Sequence, residues 1–477
     1  MFHKERKLDK MRIVNVASEA NPLVKSGGLG DVVYSLSREL ANADHEVSII
    51  LPYFKSVKSK NPGAEYIGYD YVDMSWRHQY VGIFRMVIDK INYYLIDNEQ
   101  YFGRDGLYGY DDDGERFAYF ALAAQLVIHK FDLKPDIVHV HDWQAGMLPV
   151  LMRVRPMDDW RAHYILTIHN PAFKGYLYRD SLGDLYNLST DLYDNGAVRF
   201  EGMVSTLKAG IYFADKITTV SPTHRNELLT EEFSQGLCHV LEFRKDDFVG
   251  ILNGVDVVEF DPEHDKRIKA NYSSKTFVKG KRADKLALLE EFSIKDVDSP
   301  TFGIVSRLTY QKGVDLVIQN ALHLLYRGAN IIILGSGEYS LEQEVQKLRD
   351  ARPDKVGVYI GYSDSLAHRI YAGCDFFLMP SLFEPCGIGQ IVAQRYGTLP
   401  IVRETGGLVD TVHPEVDGFS FAYYDVFSMR AVLDRALDVY YVEQPKLKEM
   451  IKNAMELDRS WVGSMEKYVA LYKEAIS

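Results

Sequence analysis

Cysteine is scarce in this sequence, and the three cysteines lie far apart. The 477-residue chain has Cys238, Cys374 and Cys386, which form neither a Cys-x-x-Cys pair nor a zinc-type cluster. So few cysteines exclude a disulfide framework of the kind that holds small secreted domains together. We therefore expect a reducing, cytoplasmic setting.

Long apolar runs and an excess of basic residues are also missing. No stretch approaches the roughly 20 apolar residues of a membrane span, and residues 1–10 are too polar for a signal peptide, so we interpret them as a flexible leader. The net charge of −12 argues against nucleic acid or an anionic membrane as partner. An anionic ligand would need a local basic pocket.

Short β-rich runs alternate with longer amphipathic stretches, and the series occurs twice. The strand candidates are 13–17, 47–51, 137–141, 164–169 and 217–220, then 302–306, 331–334, 356–360, 376–379 and 399–402. This alternation is typical of βαβ units, and it predicts an α/β protein with two Rossmann-like domains. We place them at 11–250 and 251–455, followed by a C-terminal helical segment at 456–477.

Residues 263–281 interrupt this alternation. They are polar and rich in lysine, without clean periodicity. We interpret them as a mobile connector or surface loop that precedes a helix near Asp284.

A glycine-rich loop, KSGGLGD at 25–31, joins the first strand to a helix. Glycines such as Gly28 allow a ligand to approach the backbone, the helix start offers free N–H groups to an anion, and Lys25 adds a charge. The loop lacks a clean dinucleotide or P-loop pattern, so a simple tight turn stays an alternative.

Polar side chains also cluster at two neighbouring strand ends. Asp142 follows the strand that ends at His141, and His169 with Asn170 ends the next one. Because both strands should open at one sheet edge, these groups could hydrogen-bond a polyhydroxylated ligand. A structural role for the histidines is the alternative.

The second domain places two cations on one strand-to-helix loop. Arg307 and Lys312 flank this loop and could clamp a diphosphate; the alternative is that they form salt bridges with carboxylates at the surface. Gly406 and Gly407 precede another helix pattern whose N–H groups could bind phosphate. Two phosphate-type sites in one domain suggest a nucleotide.

A turn that combines Glu, Cys, Pro and Gly residues, SLFEPCGIG at 381–389, follows a buried strand. Glu384 could accept hydrogen bonds from substrate hydroxyls, act as an acid or base, or cap the next helix. Cys386 is a weaker candidate for a nucleophile, because the sequence shows no histidine partner for it.

Taken together, these motifs resemble glycogen and starch synthases, specifically the bacterial glycogen synthases that use ADP-glucose. The ordered motifs are KSGGLGD (25–31), HDWQAG (141–146), TIHN (167–170), LKAG (207–210), VSPT (220–223), ILNGVD (251–256), SRLTYQKG (306–313), FEPCG (383–387) and RETGGL (403–408). The resemblance extends from Met11 to the region of Tyr468.

The resemblance implies a GT-B fold, with two Rossmann-like domains facing across a deep cleft and a C-terminal helix returning to the first. It implies retaining transfer of glucose from ADP-glucose to the non-reducing 4-hydroxyl of an α-1,4-glucan, with glycogen or a malto-oligosaccharide as primer and without a cofactor or metal ion.

The resemblance also assigns roles to residues. Catalytic roles fall on Asp142, His169, Arg307, Lys312 and Glu384. Donor-binding roles fall on Lys25, Gly28, Asp31, Asn170, Asn253, Tyr362, Cys386, Gly387, Thr405, Gly406, Gly407 and Leu408.

Some positions depart from the family pattern. Leu382 stands where the family usually has Arg, Gly389 where it has Thr, and Cys238-His239 where it has Asp-Gly. Related transferases also carry a second Glu where this chain has Val392, a loss that is common in this family.

Three other functions stay open from the sequence. The first is a GT-B transferase with a UDP-sugar donor, and the second is a non-catalytic relative that binds glucan or nucleotide. The third is a nicotinamide dehydrogenase, which the lack of a clean GxGxxG with an acidic ribose partner disfavours.

Overall fold

The computed structural model describes residues 10–61 and 63–477, which form two compact units. The first combines the chain up to Val220 with Arg225–Ile251 and Trp461–Ser477. The second combines Ser221–His224 with Leu252–Ser460. Of the leader expected at residues 1–10, all but Lys10 lies outside the described residues.

The first unit is an α/β unit with a mixed sheet. Its strands are β1 (Arg12–Val16), β2 (Glu46–Pro52), β3 (Glu65–Met74), β4 (Arg77–Ile88), β5 (Ile91–Asp97), β6 (Ile137–His141), β7 (His163–Ile168), β8 (Tyr176–Leu177), β9 (Arg199–Phe200), β10 (Met203–Ser205), β11 (Lys216–Thr219) and β12 (Phe248–Gly250). Its helices, up to the point where the chain enters the second unit, are α1 (Gly28–Asn42), α2 (Lys55–Lys60), α3 (Glu99–Phe102), α4 (Asp113–Lys130), α5 (Asp142–Ala145), α6 (Leu148–Val154), α7 (Ser181–Tyr186), α8 (Asp191–Asp194), α9 (Thr206–Phe213), α10 (Pro222–Glu227), which runs across the join, and α11 (Cys238–Phe243). A 3₁₀ turn lies at Lys245–Asp247.

The main sheet of this unit runs β12-β11-β7-β6-β1-β2-β5-β4-β3 in the described residues. The strands from β12 to β5 are parallel, and β4 and β3 continue the sheet antiparallel. The small strands β8, β10 and β9 form a separate antiparallel sheet. The carboxyl ends of β1, β6 and β7 therefore meet at one sheet edge, where the polar loops lie.

The strands β3, β4 and β5 were not among the predicted strands. In β3, exposed residues such as Tyr69 and Tyr71 alternate with buried Val72 and Met74. Alternation with a period of two is typical of a sheet with one solvent-exposed face. It differs from the continuous apolar runs of the parallel strands.

The second unit has a sheet of parallel strands throughout its described residues. Its strands are β13 (Thr301–Val305), β14 (Asn330–Gly335), β15 (Val356–Ile360), β16 (Phe376–Met379), β17 (Leu399–Arg403) and β18 (Phe419–Phe421), in the order β15-β14-β13-β16-β17-β18. Its helices are α12 (Phe277–Glu291), α13 (Val314–Tyr326), α14 (Tyr339–Ala351), α15 (Asp364–Gly373), α16 (Gly389–Arg395), α17 (Gly406–Thr411), α18 (Val426–Tyr441) and α19 (Gln444–Glu456), with a 3₁₀ turn at Tyr310–Lys312.

The segment 263–281, predicted to be a mobile connector or surface loop, is an irregular loop only up to Thr276, and its last residues belong to a helix. Tyr272 and Phe277 are buried in the core of the second unit, and α12 already begins at Phe277. The Lys281 ammonium is buried and donates to Ala372 O, Tyr396 O and Thr398 Oγ1 at 2.7–3.0 Å. Each of its three N–H donors has a partner, which is how a lysine in a polar stretch becomes part of a core.

The last helix, α20 (Trp461–Ile476), belongs to the first unit. Tyr468 and Tyr472 are fully buried there, and Tyr472 OH lies 2.8 Å from His139 Nδ1. Within the described ranges, none of the helices combines the length and apolar content that crossing a membrane requires.

Candidate active site

The glycine-rich loop after β1 is fixed by two carboxylates. Lys25 Nζ lies 3.1 Å from Asp31 Oδ1 at the surface. Below it, buried Glu19 accepts hydrogen bonds from Ser26 Oγ at 2.8 Å, from the Ser26 N–H and from Tyr108 OH at 2.7 Å. Glu19 therefore sets the path of the loop, while Lys25 stays accessible.

Gly28 begins α1 at an open surface. A methyl group built on Gly28 would have no neighbour within 4 Å among the described residues. No side chain caps this end of the 15-residue helix at Gly27. An uncapped helix start beside Lys25 suits an anion.

The carboxyl ends of β6 and β7 are joined by Asp142. Its Oδ1 accepts the N–H groups of His169 at 2.7 Å and Asn170 at 3.3 Å. His141 Nδ1 lies 3.0 Å from His169 Nε2. The structure thus brings together the polar strand ends that the sequence predicted to be neighbours.

Burial controls the protonation of this cluster. It raises the pKa of Asp142 to about 7, although the two N–H donors oppose the shift. It lowers the pKa of His169 to about 3 and that of His141 well below its usual value. Both imidazoles are neutral near pH 7 and act as hydrogen-bonding groups. Asp142 has φ of 55°, a conformation uncommon outside glycine and frequent at functional sites.

In the second unit, Lys312 and Glu384 form a half-buried ion pair. Lys312 Nζ lies 2.5 Å from Glu384 Oε2, with side-chain exposures of 16% and 9%. Ser381 Oγ donates to the same oxygen at 3.1 Å. Oε1 of Glu384 has no hydrogen-bond partner among the described residues, so one carboxylate oxygen is available to a ligand.

Arg307 lies on the same loop and is exposed. Its Nη2 donates to Gln311 Oε1 at 3.2 Å, and no carboxylate of the described chain pairs with it. Gln311 also joins this loop to the next, because its Nε2 donates to Phe383 O at 3.2 Å and its carbonyl accepts from Leu382 N at 2.8 Å. The loops after β13 and β16 therefore hold Arg307, Lys312 and Glu384 as one group.

Gly406 and Gly407 lie against the Glu384 turn. Gly406 has φ of 45°, and a methyl group there would lie 2.0 Å from Glu384 O, so glycine is required. The Gly407 N–H already donates to Glu384 O at 3.2 Å and Pro385 O at 3.1 Å, and the Leu408 N–H donates to Thr405 O. These residues support the turn that carries Glu384.

Cys386 and Asn253 meet behind the same turn. Burial raises the pKa of the Cys386 thiol to about 12, outweighing a hydrogen bond from the Asn253 backbone. A neutral, buried thiol is a poor nucleophile. Asn253 is buried, and its Oδ1 has no partner within the described residues.

The remaining predicted positions differ in exposure. Tyr362, just after β15, is 84% exposed, so its ring can stack on a base. Gly387 has φ of 75° at the foot of the Glu384 turn. Thr405 is buried, as is the side chain of Leu408.

Sequence reasoning assigned no role to Glu19, Tyr108, Ser381 or Gln311. Glu19 is a buried carboxylate three residues after β1, and its place just beyond a strand end is the feature from which a role could have been predicted. Tyr108 lies 89 residues further on, so its contact with Glu19 could not be found from spacing.

Two family models match the chain in order. The model described as starch synthase catalytic domain matches residues 12–243, and glycosyl transferases group 1 matches residues 289–457. Together with two α/β units built on parallel strands, they define a glycosyltransferase with the GT-B fold. The predicted fold class is confirmed, and the dehydrogenase alternative is wrong.

Relatives extend over nearly the whole chain. It is 43% identical to the glycogen synthase of Exiguobacterium sibiricum, over 97% of this chain and 99% of that protein, and 41% identical to the glycogen synthase of Ligilactobacillus salivarius, over 98% and 100%. The catalytic domain of starch synthase IV from Arabidopsis thaliana, bound to ADP and acarbose, has a TM-score of 0.88 at 30% identity, over 98% and 99%. The chain belongs to the glycogen synthase family, which confirms the predicted resemblance and an enzymatic function.

Proposed function

We propose that this glycosyltransferase moves glucose from ADP-glucose to the non-reducing 4-hydroxyl of an α-1,4-glucan, with retention of configuration and release of ADP. The observation that carries the proposal is the group formed by Arg307, Lys312 and Glu384. It combines an unpaired exposed cation, a second cation and a carboxylate oxygen without a partner.

This group suits the departure of a nucleoside diphosphate. Charge develops on the leaving phosphate as its bond to the glucose C1 breaks, and fixed cations stabilise that charge. Lys312 uses one of its three donors on Glu384, so two remain for phosphate oxygens. The planar guanidinium of Arg307 can donate two parallel hydrogen bonds to phosphate oxygens. We therefore expect no metal ion to be needed.

Glu384 is proposed to bind the donor glucose. Its Oε2 is occupied by Lys312 and Ser381, which leaves Oε1 to accept a glucose hydroxyl. In the first unit, Asp142, His169 and Asn170 are proposed to bind sugar hydroxyls. Lys25 and Gly28 are proposed to meet the donor, with Asp31 positioning Lys25 through their 3.1 Å contact. Tyr362 would stack on adenine, with Asn253 and Thr405 supporting the donor loops.

We propose that the configuration at C1 is retained without a nucleophile from the enzyme. The neutral Cys386 thiol is a poor candidate for attack on C1. We propose that the acceptor 4-hydroxyl attacks C1 from the face that ADP leaves. The C1–O bond to ADP breaks, the C1–O4 bond forms, and the acceptor proton moves to a phosphate oxygen of ADP.

The experiment follows nucleotide release and glucose incorporation together, with glycogen primer and either ADP-glucose or UDP-glucose. We expect primer-dependent ADP release matched by incorporation into chains that α-amylase digests. A preference for UDP-glucose would move the protein to the UDP-sugar alternative, and no turnover with either donor would favour a non-catalytic relative. Arg307→Ala should lose activity, whereas Arg349→Ala, an exposed arginine paired with Asp350, should keep it.

A further inference from the structure

A buried histidine nitrogen without a hydrogen-bond partner points at two carboxylates in the second unit. His368 is fully buried on α15, and its Nε2 has no partner among the described residues. That atom lies 3.9 Å from Glu259 Oε1 and 3.9 Å from Asp364 Oδ1. One oxygen of each carboxylate and a ring nitrogen all lie within 4.8 Å of one another.

The other side of the imidazole fixes its tautomer. His368 Nδ1 lies 2.7 Å from Oδ2 of buried Asp265. Asp265 also accepts from Tyr396 OH at 2.7 Å and from Arg267 Nε at 2.9 Å. Because a carboxylate oxygen accepts, the imidazole donates through Nδ1, which leaves Nε2 as the ring nitrogen that can offer a lone pair. Phe260 stacks on the ring at 4.9 Å and keeps its orientation.

Charge favours a cation at this point. Three carboxylates, those of Glu259, Asp364 and Asp265, contact the one guanidinium of Arg267, so among these described side chains the acidic groups outnumber the arginine. An acceptor buried without a donor is unfavourable as well. A divalent cation would satisfy both the lone pair and the excess charge.

We propose that Glu259, Asp364 and His368 bind a divalent transition-metal ion, with Zn²⁺ preferred over Mg²⁺ because one ligand is an imidazole. The pairing of Asp265 with Nδ1 is the arrangement that orients metal-binding histidines. Bonds of about 2.0–2.2 Å place neighbouring ligand atoms ~3.4 Å apart, so the 3.9 Å distances must shorten by roughly half an ångström.

The two carboxylates have room for this movement. Glu259 and Asp364 are about half exposed, with side-chain values of 49% and 52%. Arg267 Nη1 contacts Asp364 through Oδ2 at 3.0 Å, whereas Oδ1 faces His368, so Asp364 can bind the ion and keep Arg267. Glu259 would exchange its contact with Arg267 for the ion. The ion would then tie the segment that carries Glu259 to the start of α15, two residues after Tyr362.

The test titrates Zn²⁺, Mn²⁺ and Mg²⁺ separately into the metal-free full chain by calorimetry, with melting temperature as a second measurement. The variants Glu259→Gln and Asp364→Asn change exposed side chains, so they should fold. The control is His264→Asn, because His264 is 81% exposed beside Asp261 on the same segment and outside the cluster. Cys238, Cys374 and Cys386 are all buried, which limits binding to thiols.

We expect one equivalent of Zn²⁺ to bind the wild type and His264→Asn and to raise their melting temperatures. Affinity should fall at least ~10-fold in Glu259→Gln and in Asp364→Asn, and Mg²⁺ should bind more weakly than Zn²⁺. The proposal is overturned by a wild type without saturable Zn²⁺ binding. It is overturned equally by unchanged Zn²⁺ affinity in both carboxylate variants, or by loss of Zn²⁺ binding in the control variant His264→Asn.

Discussion

Lys312 has two possible roles, and Lys312→Met separates them. It either contacts the leaving diphosphate directly or only holds Glu384 in place through their 2.5 Å pair. Both roles predict a slower enzyme when Lys312 is lost. They differ in what happens when the charge of Glu384 has already been removed.

The magnitudes follow from burial and charge. Loss of one donor that stabilises developing charge costs about 2.7–4 kcal/mol, or roughly 100- to 1,000-fold in kcat. Breaking a buried ion pair costs about 3–5 kcal/mol of stability, which we discount to about 1–3 kcal/mol because Lys312 is 16% exposed and Ser381 still donates to Glu384.

The assay measures kcat for ADP release in the wild type, Lys312→Met, Glu384→Gln and the double variant. We expect Lys312→Met to lower kcat by at least ~100-fold in both backgrounds, since the diphosphate contact does not depend on Glu384. Its stability loss should shrink in the Glu384→Gln background, where no buried carboxylate is left unpaired.

One result would refute the direct contact. If Lys312→Met costs nothing further once Glu384 is glutamine, the lysine acts only through the carboxylate. Lys347→Met is the matched control, because Lys347 is exposed on α14, and it should leave kcat within about twofold of the wild type.

Three further changes test other parts of the site. Burial raises the pKa of Asp142 to about 7, so its contribution to stability is full below about pH 4 and is lost as pH rises to about 7. Asp142→Asn should remove that decline, which urea unfolding between about pH 4 and 7 would measure. Gly406→Ala would place a methyl group 2.0 Å from Glu384 O and should lower both activity and melting temperature, unlike Gly463→Ala, which has open space in α20. Cys386→Ala should keep kcat within about tenfold, because burial raises the pKa of the thiol to about 12 and leaves it neutral; a loss of 1,000-fold would support covalent catalysis instead.

Most of the parallel strands were predictable because they are buried on both faces. A strand such as β14 is apolar along nearly its whole length, and β-branched residues in such a run leave few alternatives. The strand β3 was harder to predict, since it has exposed tyrosines and only two buried residues. The burial of Lys281 could not be predicted from the local sequence, because its three hydrogen-bond acceptors lie 91 to 117 residues away along the chain.

The candidate site was predicted as far as it depends on strand ends. Asp142, His169 and Asn170 follow neighbouring parallel strands, so their proximity follows from topology. The groups that fix their neighbours were not accessible in the same way. Gln311 reaches Phe383 across 72 residues, and Tyr108 reaches Glu19 across 89, through side-chain contacts that leave no local pattern.

Leu382 contributes to the loop after β16 through its backbone rather than through its side chain. Leu382 is held through its backbone, since its N–H donates to Gln311 O at 2.8 Å and its carbonyl accepts from Arg403 Nη2. Its side chain is 42% exposed and takes no part in these contacts. The geometry of Glu384 therefore depends on Gln311, Arg403 and Ser381, while position 382 can change the charge near the site without moving the carboxylate.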